Sequence, residues 1–246
     1  MAGATPGGAR PKALVSRDNA EWIAKFPSRW RDQGMDVVGL EATCLVLAGC
    51  AGLNVPESEL IELGVRRAVL VRRFDQAPGG GRFHMVSLAT LCREAGGRLI
   101  TAYDVVASTI RRLSDDPDDV ERFFRQMAFN AAIGNTDDHL KNFVMLRTTK
   151  GYHLSPAFDL VPDVSGNRDH QLAIGYSHST PTGADLLGIG KQWLGNPARA
   201  RAIIQNVIQA VQQFRVTAEA FAVDPTTLQK FDRDIERRLG RLQTGM

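Results

Sequence analysis

Two acids and an amide follow one another along the chain in an order that suits magnesium-dependent phosphoryl transfer. Asn142 lies five residues after Asp137, and a second acid, Asp159, comes after a predicted hairpin. Carboxylate and amide oxygens are hard ligands of the kind that Mg²⁺ prefers, and few of them suffice because phosphate oxygens and waters complete the octahedron. We therefore expect Asn142 and Asp159 to hold magnesium together with a nucleotide.

The other polar residues of this stretch suit the remaining steps of the transfer. Asp137 is placed to accept the proton of a substrate hydroxyl and to orient it for attack. Lys141 can put a cation on the transferred group, where charge grows toward the transition state. His139 is assigned to catalysis and to nucleotide binding, with a role as a hydrogen-bonded orienter of the loop as the alternative. Each side chain alone would also suit loop or capping chemistry, so the prediction depends on their order.

A second group of residues, near the start of the chain, is predicted to hold the nucleotide phosphates. Lys25 lies in a strand-like run whose neighbours alternate between two faces. Glu41 lies on the next predicted helix, where it can pair with Lys25 and hold the ammonium group toward the phosphates. Glycine lets backbone N–H groups approach phosphate closely, so a phosphate-covering loop is also predicted. Its residues are Gly7, Gly8, Ala9 and Lys12.

Local patterns predict a small antiparallel-sheet lobe over residues 1–75. Residues 10–15 and 21–26 form a predicted hairpin, because the four residues between them are rich in turn formers. Asp36 caps a predicted helix that runs to about residue 49. Residues 64–74 are predicted to form a further strand that ends at a glycine-rich break.

The rest of the chain, residues 76–246, is predicted to form a larger and mainly helical lobe. A hairpin of residues 143–147 and 152–155 returns to its origin, which brings Asp159 back beside Asn142. A short helix is predicted from Ser87 to about residue 95, followed by helices over residues 103–113 and 120–133, the latter capped by Asp118. Two further helices begin at Asn196-Pro197 and Asp224-Pro225, and the first of these extends to Phe214. The predicted fold class is α+β, with two lobes around a cleft.

The composition favours a globular protein in the cytoplasm. The 246 residues are 43 % hydrophobic, yet no run approaches the roughly 18 apolar residues of a membrane span, and the start lacks the apolar segment of a signal peptide. The three cysteines, Cys44, Cys50 and Cys92, lack metal-ligand spacing, which predicts buried reduced thiols. A net charge of +3 suits an anionic ligand, and the basic residues of the last helix alternate with acids, so no direct nucleic-acid binding is expected.

Four segments together resemble the HipA-like kinases, which are toxin kinases of bacterial toxin–antitoxin systems. The segments are residues 7–12, 73–75, 135–142 and 158–162. The resemblance implies a serine/threonine protein kinase that uses ATP and Mg²⁺, with a protein-kinase-like fold of the phosphoinositide-kinase-like branch. It implies that Asp137 is catalytic, that Lys25 contacts the nucleotide phosphates, and that three residues flank the adenine. These three are Arg72, Arg73 and Phe74.

The same resemblance has implications for regulation and partners. Thr5 matches a position that is autophosphorylated in the family, which ejects the glycine loop; a disordered terminal threonine is the alternative. The chain looks like a short form whose additional N-terminal subdomain is supplied by a separate small protein, or like a fragment. The family also implies a helix-turn-helix antitoxin that binds operator DNA, and an aminoacyl-tRNA synthetase as a candidate protein substrate.

Two other functions stay open from the sequence. A small-molecule phosphotransferase would have a similar core, but kinases of aminoglycosides and choline usually carry a histidine two residues before the catalytic aspartate, where this chain has Asn135. An inactive kinase relative that acts only as a binding partner is disfavoured, because all of the expected polar residues are present.

Overall fold

A computed structural model describes residues 10–92 and 102–246 of the chain. Within these ranges, seven strands and eight α-helices form two antiparallel sheets and a helical core, which confirms the predicted α+β class. The elements are β1 Lys12–Arg17, β2 Ala20–Lys25, α1 Val37–Cys50, β3 Ser58–Leu63, β4 Arg66–Arg72, β5 His84–Ser87, α2 Leu88–Leu91, α3 Tyr103–Leu113, α4 Asp119–Ile133, β6 Val144–Thr148, β7 Gly151–Leu154, α5 Gly183–Leu194, α6 Pro197–Val211, α7 Phe214–Ala220 and α8 Pro225–Gln243.

The first sheet has the strand order β1-β2-β4-β3, and every neighbouring pair is antiparallel. The predicted hairpin of β1 and β2 is confirmed. Its turn places Asp18 and Asn19 at φ angles of 51° and 59°, a left-handed conformation that these two residue types tolerate better than most. The register sets Lys12 opposite Lys25, so both side chains leave the same face of the sheet.

Helix α1 joins this sheet to the helical part of the molecule. Its predicted cap is confirmed, because the Asp36 side chain accepts a hydrogen bond from the Gly39 N–H at 3.1 Å. Arg67 of β4 pairs with the same carboxylate and also donates to the Phe221 carbonyl beyond α7 at 2.5 Å.

Helix α1 is buried on nearly all sides and shares one hydrophobic core with α3, α4 and α6. The predicted burial of the cysteines holds for Cys44 and Cys92 but is wrong for Cys50, which is exposed at the end of α1.

The second sheet has the order β5-β6-β7 and contains the second predicted hairpin, β6 with β7, which is confirmed. Strand β5 was not predicted from the sequence, and neither was β3 in the first sheet. Both are edge strands without a fully buried side chain, so the alternation of hydrophobic residues that identifies a strand is weak in them.

The helical part follows the predicted pattern with two exceptions. Helices α3 and α4 have the expected bounds to within a residue, and Gly134 ends α4 at a φ of +74°. Helix α5 was not predicted, although a capping box of Thr182 and Asp185 begins it. The helix predicted to extend to Phe214 is interrupted after Val211, and buried Phe214 starts α7 instead. The hydrophobic spacing continues across the break, which is why the sequence indicated one helix.

The four remaining predicted cap residues all occupy the N-cap positions of their helices, and two of them form the capping hydrogen bond. Asn196 and Asp224 accept hydrogen bonds from the N–H groups three residues on, at 3.0 and 2.9 Å. Ser87 and Asp118 precede α2 and α4, but neither side chain forms a cap hydrogen bond. The predicted extension of α2 beyond residue 92 lies outside the described residues. No helix within 10–92 or 102–246 is both long and apolar enough to cross a membrane.

Candidate active site

A cavity of about 330 Å³ lies between the first sheet and the β6–β7 side of the molecule. Strands β2 and β4, the connection after β4 and the segment after β7 all contribute to its wall. The lining residues are Lys12, Ile23, Lys25, Val71, Arg72, Arg73, Phe74, Asp75, Met85, Val144, Phe158 and Asp159. Six of the residues predicted from the sequence are among them. Three wider surface depressions of about 600 to 750 Å³ contain none of the predicted residues.

One buried lysine in this cavity binds two carboxylates from different parts of the chain. Lys25 forms the predicted ion pair with Glu41 of α1, and its Nζ atom lies 2.6 Å from Asp159 Oδ1. Burial alone would lower the pKa of Lys25, but the two carboxylates outweigh it and raise that pKa above its ordinary value. Burial raises the pKa of Glu41, although Lys25 opposes the shift. The fold therefore presents Lys25 as a fixed cation.

Asp159 is held from both its backbone and its side chain. Its φ of 55° is left-handed, an uncommon conformation for a residue that is not glycine, and Asn135 Nδ2 donates to its carbonyl at 3.3 Å. The Lys25 ammonium, aided by Lys12, keeps the pKa of Asp159 well below its ordinary value against the effect of burial. The carboxylate is therefore ionised at neutral pH and only partly covered, because 36 % of the side chain is exposed.

The predicted catalytic loop leaves α4 at Gly134 and contains a short 3-10 turn, Leu140–Asn142. Asp137 is exposed as a residue, but partial desolvation of its carboxyl group raises its pKa. His139 opposes this shift, and the negative charge of Asp159 adds to it. Asn142 Nδ2 donates to the Asp137 carbonyl at 2.8 Å, which leaves the amide oxygen of Asn142 to accept or to ligate.

His139 and Lys141 take different places in this loop. His139 caps the 3-10 turn, because its Nδ1 atom accepts a hydrogen bond from the Lys141 N–H at 3.0 Å. This contact supports the role of His139 as an orienter of the loop, which the sequence left as an alternative. The Lys141 side chain is exposed and forms no ion pair with the described residues.

The three residues expected to flank an adenine all line the cavity, and each of them contacts another residue. Phe74 packs against Phe158, with ring centroids 5.6 Å apart. Arg73 is held by both oxygens of Asp75, at 2.9 and 2.6 Å. Arg72 pairs with Glu57 on the exposed side of the sheet at 2.9 Å. The Arg73 pair lies in the cavity wall, since Asp75 lines the cavity too, and the placing of all three residues against an adenine stays a prediction.

The donor set suits a divalent cation of the magnesium type. Asp159 supplies an ionised carboxylate and Asn142 an amide oxygen, both hard donors. Asp159 lines the cavity, whereas Asn142 lies in the catalytic loop, where its side chain donates to the backbone carbonyl of Asp137. That Asn142 and Asp159 bind one metal ion stays a prediction. In the described part of the chain, no group of three or more His, Cys, Asp or Glu side chains could hold a metal ion, which leaves phosphate and water oxygens to complete such a site.

Four predicted residues cannot be placed. The glycine-loop residues Gly7, Gly8 and Ala9, and Thr5 before them, lie outside the described residues. Lys12, the described end of that loop, faces the cavity beside Lys25.

Sequence reasoning missed the buried side of the catalytic loop. Asp138 is fully buried and accepts hydrogen bonds from Tyr103 and His170, while Asn130 donates to the Tyr103 hydroxyl at 3.3 Å. Asn135 joins Asn130 to Asp159. Asp138 and Asn135 carried a signal in the sequence, because both lie in the motif segment 135–142; Tyr103, Asn130 and His170 lie outside that segment and had none.

Comparison with known proteins agrees with this geometry. A family model for the HipA-like C-terminal domain matches residues 4–214. The chain is 27 % identical over 226 residues to the kinase homologue Y4dM of Sinorhizobium fredii, covering 81 % of this chain and 52 % of that protein. It is 27 % identical over 199 residues to the serine/threonine-protein kinase toxin HipA of Shewanella oneidensis, covering 67 % and 46 %. The chain thus spans about half the length of these relatives.

Solved structures show the same fold. HipA of Shewanella oneidensis MR-1, in complex with HipB and its operator DNA, superposes with a TM-score of 0.72 at 18 % identity, covering 96 % of this chain and 64 % of that one. The proinflammatory kinase CtkA of Helicobacter pylori gives a TM-score of 0.59 at 14 % identity, covering 94 % and 90 %. The fold is therefore the bilobal fold of kinases, and the chain belongs to the HipA-like C-terminal domain family of kinases.

Proposed function

We propose that this protein is an ATP-dependent protein kinase that transfers the γ-phosphoryl group to a serine or threonine hydroxyl. The observation that carries the proposal is the triad of buried Lys25 and Glu41 with partly exposed Asp159, which joins the sheet, α1 and the segment after β7 beside one cavity. A lysine paired with a helix glutamate, next to an ionised aspartate, is the arrangement with which kinases bind phosphates and metal.

The phosphates and metal would be divided between the two sides of the cleft. Lys12 and Lys25 leave the same sheet face, so together they offer two cations to a polyphosphate. Asn142 and Asp159 are the residues that would hold Mg²⁺. When bound, the metal neutralises phosphate charge during transfer. Phe74 and Phe158 offer an apolar wall against which an adenine ring can stack.

Asp137 is the proposed proton acceptor of the transfer. The substrate hydroxyl oxygen forms a bond to the γ-phosphorus, the bond from that phosphorus to the β–γ bridging oxygen breaks, and ADP leaves. The hydroxyl proton passes to the Asp137 carboxylate. Its exposure gives a substrate access, and its raised pKa makes it a better base than an ordinary aspartate. Lys141 would neutralise charge on the transferred group, and His139 would hold the loop that carries both.

The partners follow from the relatives and are part of the proposal. The structurally similar HipA is found in a complex with HipB and operator DNA. We accordingly propose a DNA-binding antitoxin as a partner of this chain, with the DNA contacted by the antitoxin. Co-purification of this chain with a co-expressed HipB-like protein, tested with and without operator DNA, checks this part separately from the chemistry.

Transfer of labelled phosphate from ATP tests the proposed activity. The purified chain is incubated with γ-labelled ATP and Mg²⁺, with lysate proteins in one arm and small alcohols such as choline in another. Label on a serine or threonine, located by mass spectrometry and lost with Asp137→Asn, is the expected result. Label on small alcohols alone would replace the protein-kinase proposal by a small-molecule phosphotransferase. Absence of Mg²⁺-dependent ATP binding by calorimetry, in a folded sample, would favour a binding partner without activity.

A further inference from the structure

Asp138, the residue that follows the proposed base Asp137, has no part in the proposed transfer. The Asp138 side chain is fully buried and collects four hydrogen bonds. Its Oδ2 atom lies 2.7 Å from the Tyr103 hydroxyl and 2.8 Å from His170 Nδ1, and its Oδ1 atom accepts from the N–H groups of Gln171 and Leu172 at 2.8 and 3.4 Å. A buried carboxylate requires such donors, because it has lost its hydration.

These donors come from parts of the chain that do not belong to the catalytic loop. Tyr103 begins α3, and His170 to Leu172 lie in the segment that follows Asp159. The same segment is fixed to the loop at Thr136, whose carbonyl accepts from the Gln171 N–H at 3.2 Å. Asp138 therefore anchors the catalytic loop to α3 and to the downstream segment at once.

Unlike Asp138, Asp137 has no hydrogen bonds within the described part of the chain that would hold its side chain in place. The Asp137 side chain is exposed, and its carboxylate accepts no hydrogen bond from the described residues. Its position is consequently set by its neighbours in the chain. Because Asp138 is the next residue and its side chain is fixed on the buried side, the backbone that carries Asp137 cannot turn without breaking the four hydrogen bonds of Asp138.

His170 provides the most specific of these contacts. The imidazole is buried; its Nδ1 atom bonds Asp138, while its Nε2 atom has no partner among the described residues. A buried ring nitrogen without a partner is unfavourable, so ring packing alone would be served better by an apolar side chain. What a histidine provides here, and an apolar side chain would not, is the Nδ1–H group that donates to Asp138.

We propose that Asp138 and His170 are positioning residues for phosphoryl transfer: their buried hydrogen bond fixes the loop that presents Asp137 to the substrate. The inference rests on the proposed function and adds two residues that touch neither nucleotide nor substrate. Lys25 and Glu41, which hold the phosphate side of the cleft, make no contact with this pair. Loss of the pair therefore lowers kcat by a larger factor than it raises the KM for ATP, because Lys25 and Glu41 keep their places while the loop that carries Asp137 and Asn142 is loosened.

Three substitutions of His170 test the donor itself. His170→Asn keeps an N–H group near the position of Nδ1, His170→Gln moves it to the position of Nε2, and His170→Leu removes it. We expect kcat to fall about 100-fold in the Gln and Leu variants, as for a misplaced catalytic group, and to recover in the Asn variant. Equal kcat in all three variants, or a loss in Asn as large as in Leu, would overturn the positioning role.

Amide hydrogen exchange gives a readout that does not depend on activity. In the nucleotide-free protein, His170→Leu is expected to speed exchange at residues 135–142 and at Gln171 and Leu172, while strand β2 and helix α1 keep their protection. Unchanged exchange at these amides would overturn the inference for any level of activity. Faster exchange across the whole chain would indicate a general loss of stability and would overturn it too. If the wild-type protein transfers no phosphate, the proposed function fails, and exchange still decides whether the anchor exists.

Discussion

The two sides of the cleft hold their charged groups in opposite ways. On the sheet side, Lys25 and Glu41 are buried and paired, and Asp159 completes the set. On the loop side, Asp137 is exposed and unpaired, although the residue beside it is buried and fully bonded. Groups that bind a ligand gain from being fixed in advance, because no reorganisation is then needed on binding. A group that exchanges a proton must stay open to its substrate, so the rigidity comes from its neighbour.

Removal of the proposed base is the strongest test of this contrast. Asp137→Ala is expected to lower the rate of phosphoryl transfer about 1000-fold, because no other carboxylate is free at that position. ATP affinity should stay unchanged, since the sheet-side residues are untouched. Single-turnover transfer and calorimetric ATP binding measure the two effects. Weakened ATP binding in this variant would show that the two sides are not independent.

Removal of the shared acid should affect both sides. Asp159→Ala is expected to weaken the binding of Mg²⁺-ATP about 100-fold, because a metal ligand and a partner of Lys25 are lost together. Asp169→Ala is a matched control, since that aspartate lies on the same segment, is exposed and forms no side-chain hydrogen bond within the described chain. Similar metal dependence in both variants would remove Asp159 from the metal site.

Loss of the helix glutamate should affect the sheet side alone. Glu41→Gln leaves buried Lys25 with one charged partner, which is expected to cost about 2 kcal/mol of stability and to weaken ATP binding about tenfold. Glu62→Gln on exposed strand β3 is the control. Urea unfolding and calorimetry measure the two quantities. If both variants retain full stability, the burial of this pair has no energetic consequence.

The two sides should also differ in their response to pH. The pKa of Asp137 is raised, so the acid limb of kcat/KM is expected above the ordinary aspartate value of 3.8. The pKa of Asp159 is depressed, so its contribution to stability is complete above 3.8 and is lost only as the pH falls further. The pH profile of kcat/KM measures the effect of Asp137. Acid unfolding of the wild type and of Asp159→Asn measures the contribution of Asp159 to stability. An acid limb below 3.8 would contradict the first expectation.

The smallest expected effect concerns a residue that the family resemblance assigned to the adenine. The Arg72 guanidinium pairs with Glu57 on the exposed face, and such surface pairs contribute about 0–1 kcal/mol. Arg72→Ala should therefore leave ATP affinity nearly unchanged, whereas Phe74→Ala should weaken it through the lost contact with the adenine wall. Calorimetry on the two variants compares them directly. A larger loss with Arg72→Ala would restore the original assignment.

Much of this protein follows from local patterns in its sequence. The two hairpins, helix α1 with its Asp36 cap and helices α3 and α4 were predicted because turn formers, caps and hydrophobic spacing act over a few residues. The order of Asp137, Asn142 and Asp159 led to the predicted chemistry, which stays a prediction for these three residues. The pair of Lys25 and Glu41 was also predicted, from a strand followed by a helix.

Only the tertiary structure indicated a role for Asp138. The order of the motif singled out Asp137 by its distance from Asn142, but nothing local indicated that Asp138 is buried against Tyr103 and His170 while Asp137 is exposed. The weak edge strands β3 and β5 were decided in the same way, because their stability comes from strand pairing and not from their own hydrophobic pattern. Contacts between distant segments depend on how the whole chain packs, and residue spacing does not encode them.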